Sequence, residues 1–200
     1  MSLVAAARTP FTPATIIAAL GQAYLAEMGH EAAYHTLAVL LAQVALETAN
    51  GKSCVCFNVA NFKRGPGPDY CSFQTTEWEG DPPAPVVQVC EFSAWPDLPS
   101  ACQYYLHALA SHWPEAWSAA VEGDASAFAH GLRLRGYFTA PEASYAAGVA
   151  RWQSYYLSLL GGDVAVTEPE LLSPQDAAAE ATAGIDVRAE YDPDGTIEPA

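Results

Sequence analysis

Glu47 is the residue whose surroundings in the sequence most favour acid–base chemistry. It lies in the last turn of the helix predicted for LLAQVALETANG, among apolar side chains. The negative end of the helix dipole and an apolar environment both disfavour the ionised carboxylate, so we expect the pKa of Glu47 to be raised. A carboxylic acid that is still protonated near neutral pH can protonate a glycosidic oxygen. From this helix alone, the alternative is a surface glutamate that happens to end a helix.

A second candidate carboxylate, Glu77, lies in the run SFQTTEW, which has the composition of a β-strand. On a hairpin strand that faces a cleft, a carboxylate could activate water or stabilise positive charge on a sugar. The alternative is an ordinary exposed strand glutamate, since Glu79 and Asp81 lie nearby. Trp78 alternates with Glu77 along the strand, so we expect it to face the other way and to pack in the core or in the lobe.

Two amphipathic helices are predicted before the hairpin strand of Glu77, and the second of them contains Glu47. The first is predicted from Thr12 to Met28, and the second from Glu31 to about Ala49. Their predicted buried faces consist of Ile16, Leu20, Tyr24 and Met28 in the first helix and of Leu37, Leu41, Val44 and Ala45 in the second.

The segment from Cys54 to Phe92 has a different character, because Gly, Pro and Asn are frequent in it. Its strand-like runs SFQTTEW and VVQVCEF, joined by EGDPPAP, predict a small β-hairpin lobe. After Pro99 the helical period returns. We predict helices over SACQYYLHALASHW, PEAWSAAV and DASAFAHGLRL, and a long one from about Ser144 to Leu160. The predicted fold class is therefore α+β, mainly α, with one β-hairpin.

The sequence contains, in order, AQVALETANGKS followed by NVANFK, then TTEWEGDPPAPVVQVCEFSAWPDLPSACQYYLHAL, and finally DASAFAHGLRLRGYFTAPEASYAAGV. These stretches resemble the motifs of glycoside hydrolase family 73, the N-acetylglucosaminidases related to the flagellar rod hydrolase. That family has AQAALESGWGKS and NLFGIK, then TTEY, a strand, FRxYxS and dYxxlL, and closes with LxxAGYATDPxYAxKL. The resemblance covers about Pro13 to Leu160, and it implies a lysozyme-like catalytic domain over residues 1–160.

The family's functional residues can be carried over by position. The resemblance implies that Glu47 is the catalytic acid and that Glu77 is the second carboxylate, in the β-lobe. It also implies that Tyr145 lies by the cleft and that Asn58 helps to shape the floor under the sugar.

The sequence departs from the family pattern at two places. In NVANFK, Ala60 and Asn61 stand where Phe and Gly are usual. The closing turn TAPEASYA lacks the family's Asp and is one residue longer.

The resemblance implies an endo-β-N-acetylglucosaminidase that hydrolyses β-1,4 bonds in the glycan strands of peptidoglycan. No metal or organic cofactor is expected. A lytic transglycosylase or muramidase on the same fold is the nearest alternative. A glycan-binding structural component of a phage tail, without catalytic activity, is the alternative from another class.

Charge is distributed unevenly along the chain, which has a net charge of -15. Residues 161–200 hold ten of the 23 acidic residues but only one of the eight basic ones. No basic patch is available to bind phosphates, so a nucleic-acid partner is not expected. The segment 161–200 is also poor in large apolar side chains, which predicts an acidic tail or a docking arm for phage tail or secretion-machine proteins.

The N-terminal sequence lacks the charged start, apolar run and cleavage site of a secretory signal. No run of 18 or more apolar residues predicts a membrane span. We therefore expect a protein made without a signal peptide that acts in the periplasm or on the cell wall after delivery by a virion or an injection machine.

The spacing of the five cysteines matches no zinc ligand set. Buried free thiols are expected for most of them. The alternative is a disulfide from Cys54 or Cys56 to Cys71.

We expect the residues after Gly161 to be dispensable for catalysis, because neither the family motifs nor an apolar periodicity extends into them. A protein that ends at Gly162 should hydrolyse isolated cell walls as fast as the full chain and should have the same melting temperature. The full chain is the control in both measurements. Loss of folding or of turnover on truncation would show instead that the arm packs on the core or on the cleft.

Overall fold

The computed structural model describes residues 1–65, 67–79, 84–138, 140–162 and 167–169. Within these ranges the chain forms six helices and one two-stranded antiparallel sheet, so the predicted α+β, mainly helical fold class is confirmed. The elements are α1 (Pro13–Met28), α2 (Tyr34–Thr48), β1 (Asp69–Glu79), β2 (Ala84–Ala94), α3 (Leu98–His112), α4 (Pro114–Glu122), α5 (Ala125–Leu134) and α6 (Glu142–Gly161).

The helix α2 forms the centre of the fold. Residues 36–45 are all buried, and the helix packs against α6, α4 and α1. A helix buried on every side needs apolar or small residues all round rather than along one stripe. The predicted buried face of α2 is therefore confirmed, but the opposite face is buried as well. Polar side chains inside this helix must find partners in the protein, and the Thr36 hydroxyl donates to the Val121 carbonyl at 3.0 Å.

Two sequence predictions about the first helices need correction. The helix α2 begins at Tyr34 rather than Glu31, because the connection from α1 passes through the extended Ala33, which makes no side-chain cap. Met28 was expected on the buried face of α1, but it is 39% exposed. It is the last residue of α1, directly before the left-handed Gly29, and it lies beyond the part of the helix that packs.

The hairpin lobe is confirmed, and its strands are longer than the predicted runs. The register pairs Asp69 with Ala94 at the base and Glu79 with Ala84 at the outer end. At the base, four buried residues form a small second core. They are Cys56, Cys71, Phe92 and Ala94. The N-terminal segment also pairs with this base, since the Val4 amide donates to the Tyr70 carbonyl at 2.8 Å. The predicted turn EGDPPAP has its residues 80–83 outside the described ranges.

All five cysteines are free thiols, and Cys90 is the one that is less than fully buried. The expectation of buried free thiols is thereby confirmed for most of them, and the alternative disulfide to Cys71 is not formed.

The helix α6 ends at Gly161, and Gly162 follows it in the left-handed conformation with a φ of 83°. Of the predicted tail, residues 161, 162 and 167–169 are described, and Glu168 pairs with Lys52 at 2.6 Å, just beyond α2. The remaining residues of the tail, 163–166 and 170–200, lie outside the described residues. No helix in the described part of the chain is both long enough and apolar enough to cross a lipid bilayer.

Gly131 of α5 permits close packing against the start of α4. A Cβ atom at position 131 would lie 2.4 Å from the backbone nitrogen of Ala116, so Gly131→Ala should lower the free energy of unfolding. We expect a loss of about 1–3 kcal/mol in denaturant melts, as for other overpacked cores. Gly21→Ala in α1 is the matched control, because its Cβ would meet nothing within 4 Å. It should raise stability by about 0.5–1 kcal/mol. Equal stability of Gly131→Ala and the wild type would contradict the close packing.

Candidate active site

Glu47 lies in the last turn of α2, where the chain turns sharply away from the helix. Ala49 and Asn50, directly after the helix, both adopt the left-handed conformation, with φ values of 49° and 54°. The Thr48 hydroxyl donates to the Val44 carbonyl at 2.6 Å and accepts from the Gly51 amide at 2.9 Å, which closes the helix end. The Glu47 side chain is half-buried at the end of this buried helix.

Both carboxyl oxygens of Glu47 have a hydrogen-bond donor. The Tyr145 hydroxyl donates to Oε1 at 3.0 Å. The Asn61 amide Nδ2 lies 3.3 Å from Oε2, and it also donates to the Glu47 main-chain carbonyl at 2.5 Å. The carboxyl is therefore held from two sides, by residues of α6 and of the segment before the hairpin.

A buried chain of side chains fixes the direction of the Tyr145 bond. The Tyr105 hydroxyl of α3 donates to Gln43 Oε1 at 2.7 Å, and Gln43 Nε2 donates to the Tyr145 hydroxyl oxygen at 3.4 Å. An amide nitrogen can only donate, so the hydrogen of Tyr145 is left for Glu47. Gln43 and Glu47 are four residues apart on one helix and share a face. Gln43 thus orients the partner of Glu47 from within the same helix.

Burial raises the pKa of Glu47 to about 7, and the hydrogen bonds from Tyr145 and Asn61 lower it by less. The expected rise is confirmed, and burial is its main cause. Burial, followed by the nearby charge of Glu47, also raises the pKa of Tyr105, Tyr137 and Tyr145 well above the ordinary tyrosine value. These three hydroxyls therefore stay protonated and act as neutral partners at any physiological pH.

Tyr145 is buried near the start of α6 rather than exposed at a surface. Its ring stacks on Phe138, with the ring centroids 4.0 Å apart. The neighbouring Tyr137 donates its hydroxyl to the Ala60 carbonyl at 2.9 Å, which ties the segment before α6 to NVANFK. The structure thus brings Tyr145 together with Glu47, and the part of Tyr145 that reaches the site is its hydroxyl.

Asn58 is buried, and its amide is used within the protein. Its Nδ2 donates to the carbonyls of Phe62 at 2.8 Å and of Ser93 at 3.1 Å, and its Oδ1 accepts from the Phe62 amide at 2.9 Å. The residue therefore shapes the loop beside Glu47 and fastens it to the end of β2. An effect of Asn58 on a bound sugar would act through that loop.

Glu77 lies on β1, with its backbone opposite Val86 in the outer part of the hairpin. Its side chain lies outside the described residues, as does that of Trp78. The structure therefore gives the backbone position of Glu77 on β1, and the proximity of the Glu77 carboxylate to Glu47 stays a prediction.

Two residues of the site, Gln43 and Asn61, were not identified as functional from the sequence. Gln43 is a polar residue inside an apolar helix, one turn before Glu47, and this spacing is a signal that could have indicated it. Asn61 stands where the family motif has glycine. Its contact with Glu47 spans 14 residues and could not be read from local spacing. In the described part of the chain, no group of His, Cys, Asp or Glu is arranged to hold a metal ion.

Comparison with known proteins identifies related structures. No protein-family model and no curated protein matches the sequence. The chain is similar to a peptidoglycan hydrolase mutant from Sphingomonas sp. A1, with 28% identity over 74% of this chain and 92% of that one, and a TM-score of 0.52. It shares the fold of the catalytic domain of the autolysin Auto from Listeria monocytogenes, with 20% identity over 76% of this chain and 89% of that one, and a TM-score of 0.53. The predicted lysozyme-like fold is thereby confirmed.

The raised pKa of Glu47 makes stability depend on pH. A carboxyl whose pKa rises from 4.5 to about 7 on folding stabilises the protein fully below pH 4.5, and this stabilisation is lost as the pH rises to about 7. Glutamine cannot ionise, so the stability of Glu47→Gln relative to the wild type should rise across this window by about 3 kcal/mol. Denaturant melts of both proteins at pH 4.5, 6 and 8 measure this difference in the free energy of unfolding. Parallel pH dependence of the two would contradict the raised pKa.

Proposed function

We propose that this chain, which is similar to glycoside hydrolase family 73 in its motifs and its fold, cleaves β-1,4 glycosidic bonds of peptidoglycan with Glu47 as the catalytic acid. The observation that carries the proposal is the state of Glu47. A carboxyl group with a pKa of about 7, held by two neutral donors at the end of a buried helix, is suited to give up a proton near neutral pH. The similarity to the Sphingomonas peptidoglycan hydrolase supports the substrate class.

In the proposed reaction, Glu47 donates its proton to the glycosidic oxygen while the bond from that oxygen to the anomeric carbon breaks. Positive charge develops on the sugar as an oxocarbenium-like transition state forms. The Glu47 carboxylate that is left behind is stabilised by the Tyr145 hydroxyl, which is already in place. Water then adds to the anomeric carbon and gives one proton to the base that activates it. That base releases the proton to solvent, and Glu47 takes up a proton before the next turnover.

Glu77 is the proposed second carboxylate, which activates that water or stabilises the charge on the sugar. Its support is its place in the TTEW motif on a hairpin strand. An alternative route uses the acetamido group of the substrate in place of a protein carboxylate. Asn58 and Tyr145 complete the proposed site, the first through the shape of the loop and the second through its bond to Glu47.

The proposed bond is the one that follows N-acetylglucosamine, as in an endo-β-N-acetylglucosaminidase. A lytic transglycosylase or a muramidase on the same fold would leave different ends, so analysis of the reducing ends of the products separates the three activities. A glycan-binding phage tail component without activity would release no products at all.

Delivery by a phage virion or an injection machine is a further part of the proposal. The acidic segment 161–200 would act as the docking arm, with its few apolar residues as anchors. These anchors are Leu171, Leu172, Ile185 and Val187, all outside the described residues. The site of action would then be the periplasm or the cell wall.

The roles of the two glutamates predict unequal effects of their removal. Glu47→Gln should keep the fold and lower kcat/KM on purified cell walls by about 10²–10⁴-fold, the usual loss when general-acid catalysis is removed. Glu77→Gln should lower it less. Zymograms and product release from cell walls measure both. Near-native activity of Glu47→Gln, with an unchanged melting temperature, would show that the acid is wrongly assigned.

The same variants also separate the two limbs of the pH profile. The alkaline limb of kcat/KM should fall near pH 7, where Glu47 loses its proton. The acidic limb should follow the group that must be ionised. Glu77→Gln should therefore alter the acidic limb and leave the alkaline one in place.

A further inference from the structure

Asn61 has the geometry of a residue that controls the proposed acid. Its single amide nitrogen donates both to the main-chain carbonyl of Glu47, at 2.5 Å, and to the carboxyl oxygen Oε2, at 3.3 Å. An amide nitrogen carries two hydrogens, so both are used on the same residue. The bond to the carbonyl fixes the amide against the end of α2, and the second hydrogen is thereby directed at the carboxyl group.

The backbone at position 61 explains how an asparagine fits there. Asn61 adopts the left-handed conformation, with a φ of 49°. Glycine adopts this conformation without strain, and asparagine tolerates it better than most other residues. The motif that NVANFK resembles has glycine at this position. Asparagine can therefore replace glycine with little change in the backbone, and it adds an amide beside Glu47.

The loop that carries Asn61 is held on both sides. Asn58 binds the backbone amide and carbonyl of Phe62 through its side chain, and Tyr137 donates to the carbonyl of Ala60. All three tethers are buried. Asn61 is therefore aimed at Glu47 by a loop whose two flanking residues are fixed.

We propose that Asn61 is a positioning residue that holds the Glu47 carboxyl and stabilises the carboxylate left after the proton has passed to the glycosidic oxygen. This inference rests on the proposed role of Glu47 as the acid. Tyr145 holds Oε1 and Asn61 holds Oε2, so the charge that forms on either oxygen meets a donor that is already oriented. The amide hydrogens themselves stay on nitrogen throughout.

Within the described part of the chain, the titratable groups that interact with the charge of Glu47 are three tyrosines: Tyr105 from α3, Tyr137 from the segment after α5, and Tyr145 from α6. All three are neutral. Among the described residues, the side-chain bonds that lower the pKa of Glu47 come from Tyr145 and Asn61. Removal of the Asn61 amide therefore leaves Tyr145 as the remaining donor, and it introduces no new charge.

The test is a direct titration of Glu47 that does not depend on turnover. The protein is labelled with glutamate carrying ¹³C at the side-chain carboxyl, and the Glu47 resonance is assigned by its absence from Glu47→Gln. In the wild type it should titrate at about 7. In Asn61→Gly, which keeps the left-handed backbone, the midpoint should move up by about one pH unit, because a donor to the carboxylate is lost. Asn61→Asp replaces the donating amide with an ionised, acceptor-only carboxylate beside Glu47, so it should move the midpoint up further.

Asn50→Gly is the matched control. Asn50 is also left-handed, with a φ of 54°, and it also lies at the end of α2. Its side-chain oxygen accepts from the Tyr156 hydroxyl at 2.5 Å rather than contacting Glu47. Asn50→Gly should therefore leave the titration of Glu47 unchanged, whatever it does to the melting temperature.

The activity profile is the second readout. In Asn61→Gly, the alkaline limb of kcat/KM on cell walls should move up by the same amount as the titration, and the plateau should fall by up to about tenfold as the acid becomes weaker. An unmoved titration in both Asn61 variants overturns the inference, even if activity and melting temperature fall. A titration that moves in a protein with no turnover on cell walls would overturn the proposed function and leave the Asn61–Glu47 coupling intact.

Discussion

Burial of α2 on all its sides is the constraint on which the rest of the structure depends. A helix with no solvated face cannot leave a polar group to water, so each one must be satisfied by the protein. Thr36, Gln43 and Thr48 each bond to a defined partner. The same burial extends to the end of the helix, where Glu47 meets the solvent only in part. The removal of water from this carboxyl is what raises its pKa.

Three distant parts of the chain meet at Glu47, and buried hydrogen bonds fix them to one another. The end of α2 supplies the carboxyl, NVANFK supplies Asn61, and the start of α6 supplies Tyr145. The bond from Tyr137 to Ala60 ties the second segment to the third. Buried hydroxyls and amides of this kind have few alternative partners, so the arrangement around Glu47 is held before any ligand arrives.

The hairpin holds its candidate carboxylate in a different way. Its base is anchored by the small core around Cys71 and Phe92 and by Arg64, which pairs with Glu91 at 2.8 Å and stacks on Tyr70. Position 77 lies eight register pairs further along β1 from the base pair of Asp69 and Ala94. The proposed acid thus belongs to the rigid helical body, whereas the position of the proposed second carboxylate depends on how the hairpin extends from its anchored base.

The local elements of this protein could be read from the sequence, because they depend on periodicity and on turn chemistry. The side chains of Thr12 and Asp124 accept backbone hydrogen bonds at the starts of α1 and α5, as is usual for these residue types. The runs rich in β-prone residues form the hairpin. The raised pKa of Glu47 also followed from the apolar composition of its helix. The start of α2 could not be read, since Ala33 makes no side-chain cap that would mark it.

The hydrogen-bond partners of Glu47 were decided by the tertiary structure alone. The bond from Asn61 spans 14 residues, the bond from Tyr145 spans 98, and the bond from Tyr105 to Gln43 spans 62. No local pattern encodes such contacts, because they exist only once separate helices and loops have packed against α2. The sequence by itself determined that an acid with a raised pKa would stand at the end of this helix. The packing of α3, α6 and the NVANFK loop decided which groups hold its two oxygens, because only folding brings those donors within hydrogen-bonding distance.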